Sequence, residues 1–298
     1  MRRRFLTLDV FTRSRFAGNP LALVLDAQGL DTAAMQTIAR EFSHPETVFV
    51  LPPENPANKA CLRIFTPAAE LPFAGHPTVG AAVGLARLSG GAAQQTFVLE
   101  EKIGPVTCVA QAHDAGSGQA VFELPRLPAD VGQVPDVAAM ARALSLSDSD
   151  IGGDYPPSRW SAGVAYTFVS VRSLAAVARA KPDMATFEKV FGIGGPAMVY
   201  VMCTETAAPG HHLHARMFAP ANGIAEDPAT GSAVAAFAGL HAAHVKPGDG
   251  THQLVIEQGY EMGRPSLMNL TITMAGGRLA LASIGGDAIV VTEGTIEA

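Results

Sequence analysis

Moving a proton on or off carbon requires a carboxylate or imidazole held in a fixed place. Three such side chains stand at abrupt changes of sequence pattern. Glu46 lies in Phe42-Ser43-His44-Pro45-Glu46-Thr47-Val48-Phe49-Val50, where a helical stretch gives way to a β-branched and aromatic run. A carboxylate at the start of such a strand can point off the strand end. Partial burial there raises its pKa and lets it both donate and accept a proton. The competing reading is a solvated loop glutamate. His76 and Asp227 each precede a proline, in His76-Pro77-Thr78-Val79-Gly80 and Asp227-Pro228-Ala229-Thr230-Gly231. Proline is favourable at the first helical position, so each would be an N-cap; aspartate caps well by type and histidine poorly. Helix starts carry unpaired N–H groups and a partial positive charge, so they bind carboxylates and can stabilise negative charge that develops during a reaction. The competing reading is a pair of ordinary capped helix starts.

The elements that must position these groups are mostly strands. Short apolar runs that alternate with period two and end at Gly, Pro or Asn predict strands near 4–11, 20–25, 47–51, 61–65, 95–101, 105–111 and 119–123. More follow near 164–171, 197–203, 212–218, 253–258, 268–274, 278–284 and 288–292. Asp31 caps a predicted helix through Arg40, with Met35, Ile38 and Phe42 on one stripe. Asp136 caps a second helix through Leu144, and Asp183 a third with Met184, Phe187 and Val190 facing inward. Two further helices, Pro77 to Leu88 and Pro228 to about His241, are apolar almost all round and rich in Ala and Gly. A helix without a polar face must be buried on every side.

An internal repeat ties these helices together. Arg63-Ile64-Phe65-Thr66-Pro67 recurs as Arg216-Met217-Phe218-Ala219-Pro220, 153 residues later, and each copy precedes a short loop and one of the two apolar helices. Two copies in 298 residues indicate a duplicated lobe, each a curved sheet wrapped around a helix. Pro125, Pro128 and Pro135 place the boundary near 124–135, giving lobes 1–124 and 125–298, with the terminal strand free to cross to the other lobe. Pseudo-symmetric lobes put equivalent ends face to face, so a cleft between the two helix starts is expected.

Composition narrows the partners. Hydrophobic residues are 48% of the chain and charged residues 16%, which excludes disorder. The formal net charge of −6 and the lack of any basic cluster beyond Arg2, Arg3 and Arg4 argue against nucleic acid. No uncharged apolar run reaches membrane-spanning length. Asp9, Arg13 and Arg15 interrupt the apolar stretch that an export signal would need, so the basic end reads as the lead into a first strand. Cys61, Cys108 and Cys203 are odd in number and far apart, which fits a reducing cytosol and neither a disulfide framework nor a zinc site.

Other signals carry less. His212 and His214 would share one strand face but lack a third metal ligand; surface histidines before a strand are common. His241 and His244 sit at a helix end, where histidine interacts with terminal carbonyls. Gly192-Ile193-Gly194-Gly195 is too short for a dinucleotide fingerprint and reads as a turn. Thr230-Gly231-Ser232 lacks the strand–turn context of a hydrolase nucleophile, so Ser232 reads as a first-turn hydroxyl.

Taken together, several pieces resemble the PhzF-like phenazine-biosynthesis family, within the diaminopimelate-epimerase fold group. They are Asp9-Val10-Phe11 and Gly18-Asn19-Pro20-Leu21-Ala22 at the start, then Glu46-Thr47-Val48-Phe49, then Phe65-Thr66-Pro67 with Ala74-Gly75-His76-Pro77-Thr78-Val79-Gly80. Glu226-Asp227-Pro228-Ala229-Thr230-Gly231-Ser232-Ala233 follows, and Gln258-Gly259, Gly263-Arg264-Pro265-Ser266 and Gly285-Gly286 complete a match over nearly the whole chain. The resemblance implies an α+β fold of two pseudo-symmetric lobes, each a mostly antiparallel sheet rolled around a central helix, with an active site between them. It implies a homodimer and a cofactor-free isomerase or epimerase acting on a small carboxylic acid; the cysteine usage fits a cytoplasmic protein, and the ligand spacing gives no metal site. By position Glu46 matches the general acid/base, and His76 and Asp227 its polar partners. Gly75, Gly231 and Ser232 match the groups that hold the substrate, and Asn19 belongs to the matching opening motif. A two-base version, with His76 or Asp227 opposite Glu46, stays open.

Pro45 departs from the family pattern, where a small hydroxyl residue is frequent; it removes an N–H and stiffens the approach to Glu46. The fold group's racemases use two cysteines at the helix starts. Here those places hold Gly75 or His76 and Asp227, so a two-thiol racemase is not expected. The alternative from another class is a non-catalytic small-acid-binding or regulatory protein that keeps the fold.

Overall fold

The computed structural model describes residues 1–90, 92–113 and 116–298. The chain forms two compact units, Met1–Pro125 with Ile284–Ala298, and Arg126–Ser283.

The first unit holds strands β1 (Arg2–Val10) and β2 (Asn19–Val24), helix α1 (Thr32–Phe42), then β3 (Glu46–Leu51), β4 (Ala60–Phe65) and β5 (Glu70–Leu71). Helix α2 (Gly75–Leu88) and strands β6 (Gln95–Glu101), β7 (Gly104–Ala112) and β8 (Ser117–Glu123) follow. β1 pairs antiparallel with β2 and with the C-terminal strand Arg278–Glu297. From β2 the pairing runs parallel to β3, antiparallel to β4, parallel to β6, then antiparallel through β7 and β8. β8 pairs with the C-terminal strand and closes the ring. Among the described residues of this unit, closure leaves no long open edge.

That ring encloses α2, and 12 of its 14 residues are buried. The composition explains the fit. A Cβ added at Gly80 would meet Leu21 Cδ2 at 2.5 Å and Val10 Cγ2 at 2.8 Å, so only a residue without a side chain lets β1 and β2 come this close. Helix α1 lies outside the ring. Asp31 accepts from Ala34 N at 2.8 Å, and Met35, Ile38, Ala39 and Phe42 pack inward beside Phe49 and Phe65.

The second unit holds β9 (Ala129–Gly132), α3 (Val137–Ala143), β10 (Ser158–Ser161), β11 (Ala165–Ser170), α4 (Leu174–Arg179), α5 (Phe187–Phe191) and β12 (Val199–Cys203). Then come β13 (Leu213–Ala219), β14 (Ile224–Asp227), α6 (Gly231–Val245), β15 (Gly250–Gln258) and β16 (Ser266–Ala275), which leads into the C-terminal strand, β17. β10 through β16 repeat the first unit's order: antiparallel to β11, parallel to β12, antiparallel to β13, parallel to β15, antiparallel to β16. The short β14 pairs with β13 as β5 does with β4. The fold is α+β, two copies of one rolled, mostly antiparallel sheet around a helix. In α6 a Cβ at Gly239 would meet the Trp160 ring of β10 at 2.5 Å, the same close approach seen at Gly80.

Several expectations need correction. The central helices begin at Gly75 and Gly231, with Ala74 and Thr230 as N-caps, so neither His76 nor Asp227 is a cap. His76 lies inside the first turn of α2, and Asp227 ends β14. The Asp183 helix starts later, at Phe187; Asp183 instead accepts from Ala185 N and the Thr186 hydroxyl, and Met184 is exposed. The two strands expected at 278–284 and 288–292 are one. Helix α4 and strands β9 and β10 carry too weak a periodicity to be seen in the sequence. No helix among the described residues is long and apolar enough to cross a membrane.

Candidate active site

In the first unit, α1 ends on Ser43 in the left-handed conformation (φ 53°). His44 and Pro45 then lead directly into β3, whose first residue is Glu46. Glu46 pairs in register with Leu21 of the parallel β2, so its strand start lies beside Asn19 and Pro20 at the start of β2. Asn19 is fully buried. The first turn of α2 carries Gly75 and His76 to the same place. The His76 ring hydrogen-bonds the Pro20 carbonyl, and its Nε2 lies 3.2 Å from Glu46 Oε2. Both side chains are largely withdrawn from water, with 5% of His76 and 12% of Glu46 exposed. Burial pushes the His76 pKa down to about 3, against a smaller opposing effect of the Pro20 bond, so the ring is neutral at neutral pH. The helix start has no side-chain cap. Gly75, His76, Glu46 and Asn19 are therefore gathered in one unit.

Asp227, Gly231 and Ser232 form a second group, in the other unit. Asp227 is buried at the end of β14, and Thr230, by type a good cap for α6, turns its hydroxyl to Asp227 Oδ2 at 2.5 Å instead. α6 therefore also starts without a side-chain cap. The turn between them is held by Gln258, the last residue of β15. Its Nε2 donates to Asp227 O at 2.7 Å and Thr230 Oγ1 at 2.9 Å, and its Oε1 accepts from Thr230 N and from the Tyr200 hydroxyl, each at 3.1 Å. Every hydrogen-bonding position of that buried amide is used. Gly259 (φ 78°) follows, and a Cβ there would lie 2.6 Å from Pro228 O, so the turn presses on backbone. Ser232 Oγ is 2.6 Å from the Tyr166 hydroxyl.

The Arg-x-Phe repeat has a structural purpose. Arg63 makes a two-point bond to Glu70 on β5, and Arg216 makes one to Glu226 on β14. Each guanidinium also stacks over the phenylalanine two residues on, Phe65 or Phe218. The short strands that lead to each helix start are thus clamped by planar, bidentate pairs.

Sequence reasoning missed Gln258 as an anchor, along with Tyr166, Thr230 and Glu101. Period-two alternation held the signal for two of them: Glu101 and Gln258 share a strand face with the buried Leu99 and Ile256. The histidines also differ from expectation. His214 is buried, not at the surface; its Nδ1 lies 2.7 Å from Glu257 and its Nε2 3.0 Å from Glu261. Burial works to lower its pKa, and the two carboxylates outweigh that and raise it. His211 shares Glu257 at 2.5 Å. His241 bonds the Tyr155 hydroxyl at 2.8 Å rather than helix carbonyls.

Comparison with known proteins places this arrangement. The profile of the phenazine biosynthesis-like PhzC–PhzF family matches residues 8–294. An uncharacterised isomerase of Mesorhizobium japonicum is 49% identical, over 99% of this chain and 98% of that one. A trans-2,3-dihydro-3-hydroxyanthranilate isomerase of Pseudomonas chlororaphis is 32% identical, over 98% of each chain. The crystal structure of a PhzF-family phenazine biosynthesis protein of Bacillus anthracis superposes with a TM-score of 0.90, at 27% identity and full coverage of both chains. The chain belongs to the PhzC–PhzF phenazine biosynthesis-like family, a family of isomerases.

Proposed function

We propose that the protein relocates a proton on a small carboxylic acid without a cofactor, and that Glu46 carries the proton. The buried contact between Glu46 and His76 is the observation that supports this most. A neutral imidazole has one N–H. The bond to Pro20 O uses it, because Nε2 is the nitrogen that faces Glu46. Nε2 is then an acceptor, placed to receive the carboxyl O–H once Glu46 has taken a proton from carbon. A ring that burial keeps neutral does not take that proton away. It fixes the carboxyl, and Glu46 does the transfer.

The reaction needs no external electrons. A C–H bond breaks as Glu46 takes the proton, the electron pair moves into the neighbouring π-system, and the proton returns to another carbon of the same molecule. The uncapped helix starts at Gly75 and Gly231, with Ser232, are the proposed anion-holding groups. Asn19 and Asp227 are proposed to orient the substrate. The compound in the relatives' name, trans-2,3-dihydro-3-hydroxyanthranilate, has the required chemistry and is the first substrate to try.

The test is incubation of the protein in heavy water with that compound and a panel of small cyclic and acyclic acids, followed by NMR. Isomerised product bearing solvent deuterium at carbon supports the reading. Saturable binding of an acid with no exchange into any carbon contradicts it and identifies a binding protein.

A further inference from the structure

Glu101 ends β6 under the first turns of α2 and is buried. Its Oε1 lies 2.7 Å from Thr78 Oγ1, and the same hydroxyl lies 2.8 Å from Ala74 O. A hydroxyl has one hydrogen and a carbonyl can only accept. One hydrogen cannot serve both: either Glu101 takes it, or Thr78 gives it to Ala74 O, the N-cap carbonyl of α2, and accepts from Glu101, and only the second asks Glu101 for a proton. A carboxylate has nothing to donate. The other oxygen, Oε2, is buried without a hydrogen-bond partner, an arrangement far costlier for an anion than for a neutral acid.

The second unit supplies an independent comparison. β15 stands to β13 as β6 stands to β4: parallel to the strand that bears the repeated arginine, and the first arm of a hairpin. Glu101 is the last residue of β6, and Gln258 is the last residue of β15. Each reaches a threonine at the start of the central helix, Thr78 in one case and Thr230 in the other. A protonated carboxyl has nearly the shape of a primary amide, with a donor on one side and an acceptor on the other.

We propose that Glu101 is held as a neutral carboxylic acid and acts as a positioning residue, fixing through Thr78 the turn that carries Gly75 and His76, as the Gln258 amide fixes the turn that carries Asp227. The surroundings agree. Cys108 of β7, Cys61 and Arg63 of β4, Glu70 of β5, Glu54 before β4, and Glu100 and Lys102 next to it in sequence are the ionisable groups around it. Arg63 is committed to Glu70, and Lys102 lies 3.9 Å from the same carboxylate. Among the described residues Glu101 forms no ion pair, and His76 on α2 is neutral. Burial is the main force that raises the Glu101 pKa, to about 8.

The inference rests on the proposed function only for its effect on turnover; the protonation state is read without substrate. In protein carrying carboxyl-labelled [13C]glutamate, one resonance should remain protonated through neutral pH and titrate near pH 8, and E101Q should remove that resonance alone. E101Q should keep turnover at pH 7 and lose the alkaline decline between pH 7 and 9. E101L should lower kcat by up to about 100-fold, as expected when a reacting group is displaced. Every glutamate titrating in the ordinary range overturns the inference, even if turnover is as proposed. So does an E101Q protein whose pH profile is unchanged. If neither variant folds, a wild-type spectrum in which no glutamate stays protonated through neutral pH still overturns the inference.

Discussion

At the residue scale, the account depends on a histidine that burial keeps from charging. The chain before folding takes a proton at His76 near its ordinary pKa of 6.5, and the folded chain does so only near 3. The unfolded state therefore binds more protons in that interval, and stability falls as pH drops from about 6.5 towards 3. Urea denaturation between pH 7 and 4 should show wild type losing more stability on acidification than H76Q, whose side chain cannot charge. Equal slopes would mean that His76 is not held neutral. The junction of helix and strand marks Glu46 in the sequence only as a candidate beside an ordinary loop glutamate; the match to the family's acidic motif singles it out, and the fold adds its burial against His76. His76 is marked too, but for an incomplete reason. Proline usually marks the first helical position, but here a further two residues precede it in the helix, and the histidine gains burial and a backbone partner rather than a cap's exposure.

Among the elements, the two apolar helices are the most legible, because Ala and Gly without a polar face leave burial as the only solution. Their exact starts are not, since the local signals (Asp227, Thr230 and Pro228) compete. Tertiary bonds from Gln258 decide between them by drawing Asp227 and Thr230 together. The shape of each ring follows from side chains that are missing. Gly80→Leu would drive a side chain into Leu21 and Val10, and should destabilise the first unit by roughly 1–3 kcal/mol, the usual cost of overpacking. Chemical denaturation would detect this, and a variant as stable as wild type would show that β1 and β2 can move away from α2 freely. Short elements such as α4, β9 and β10 are invisible in the sequence because four to six residues hold little periodicity. Their placement comes from long-range contacts, for example the three carbonyls at the end of α4 that Arg216 Nη1 bonds.

For the whole molecule, the five-residue repeat is enough to disclose the duplication. The repeated order of parallel and antiparallel pairing bears it out, strand for strand. What the repeat does not disclose is that the two copies diverged at matched places. The same topological position holds Glu101 in one unit and Gln258 in the other, and His76 in one helix start answers to Asp227 before the other. The duplicated scaffold supplies two uncapped helix starts, while the buried contact of Glu46 with His76, to which the proton transfer is proposed to belong, lies in the first unit alone. That asymmetry gives the central claim its most direct test, a comparison of wild type and E46Q by NMR in heavy water with an acid that the wild type isomerises. Glutamine keeps the shape and cannot carry the proton, so deuterium incorporation and product formation should fall together, by about 10²–10⁴-fold, with the acid still bound. Deuterium entering carbon at the wild-type rate in E46Q would contradict the account.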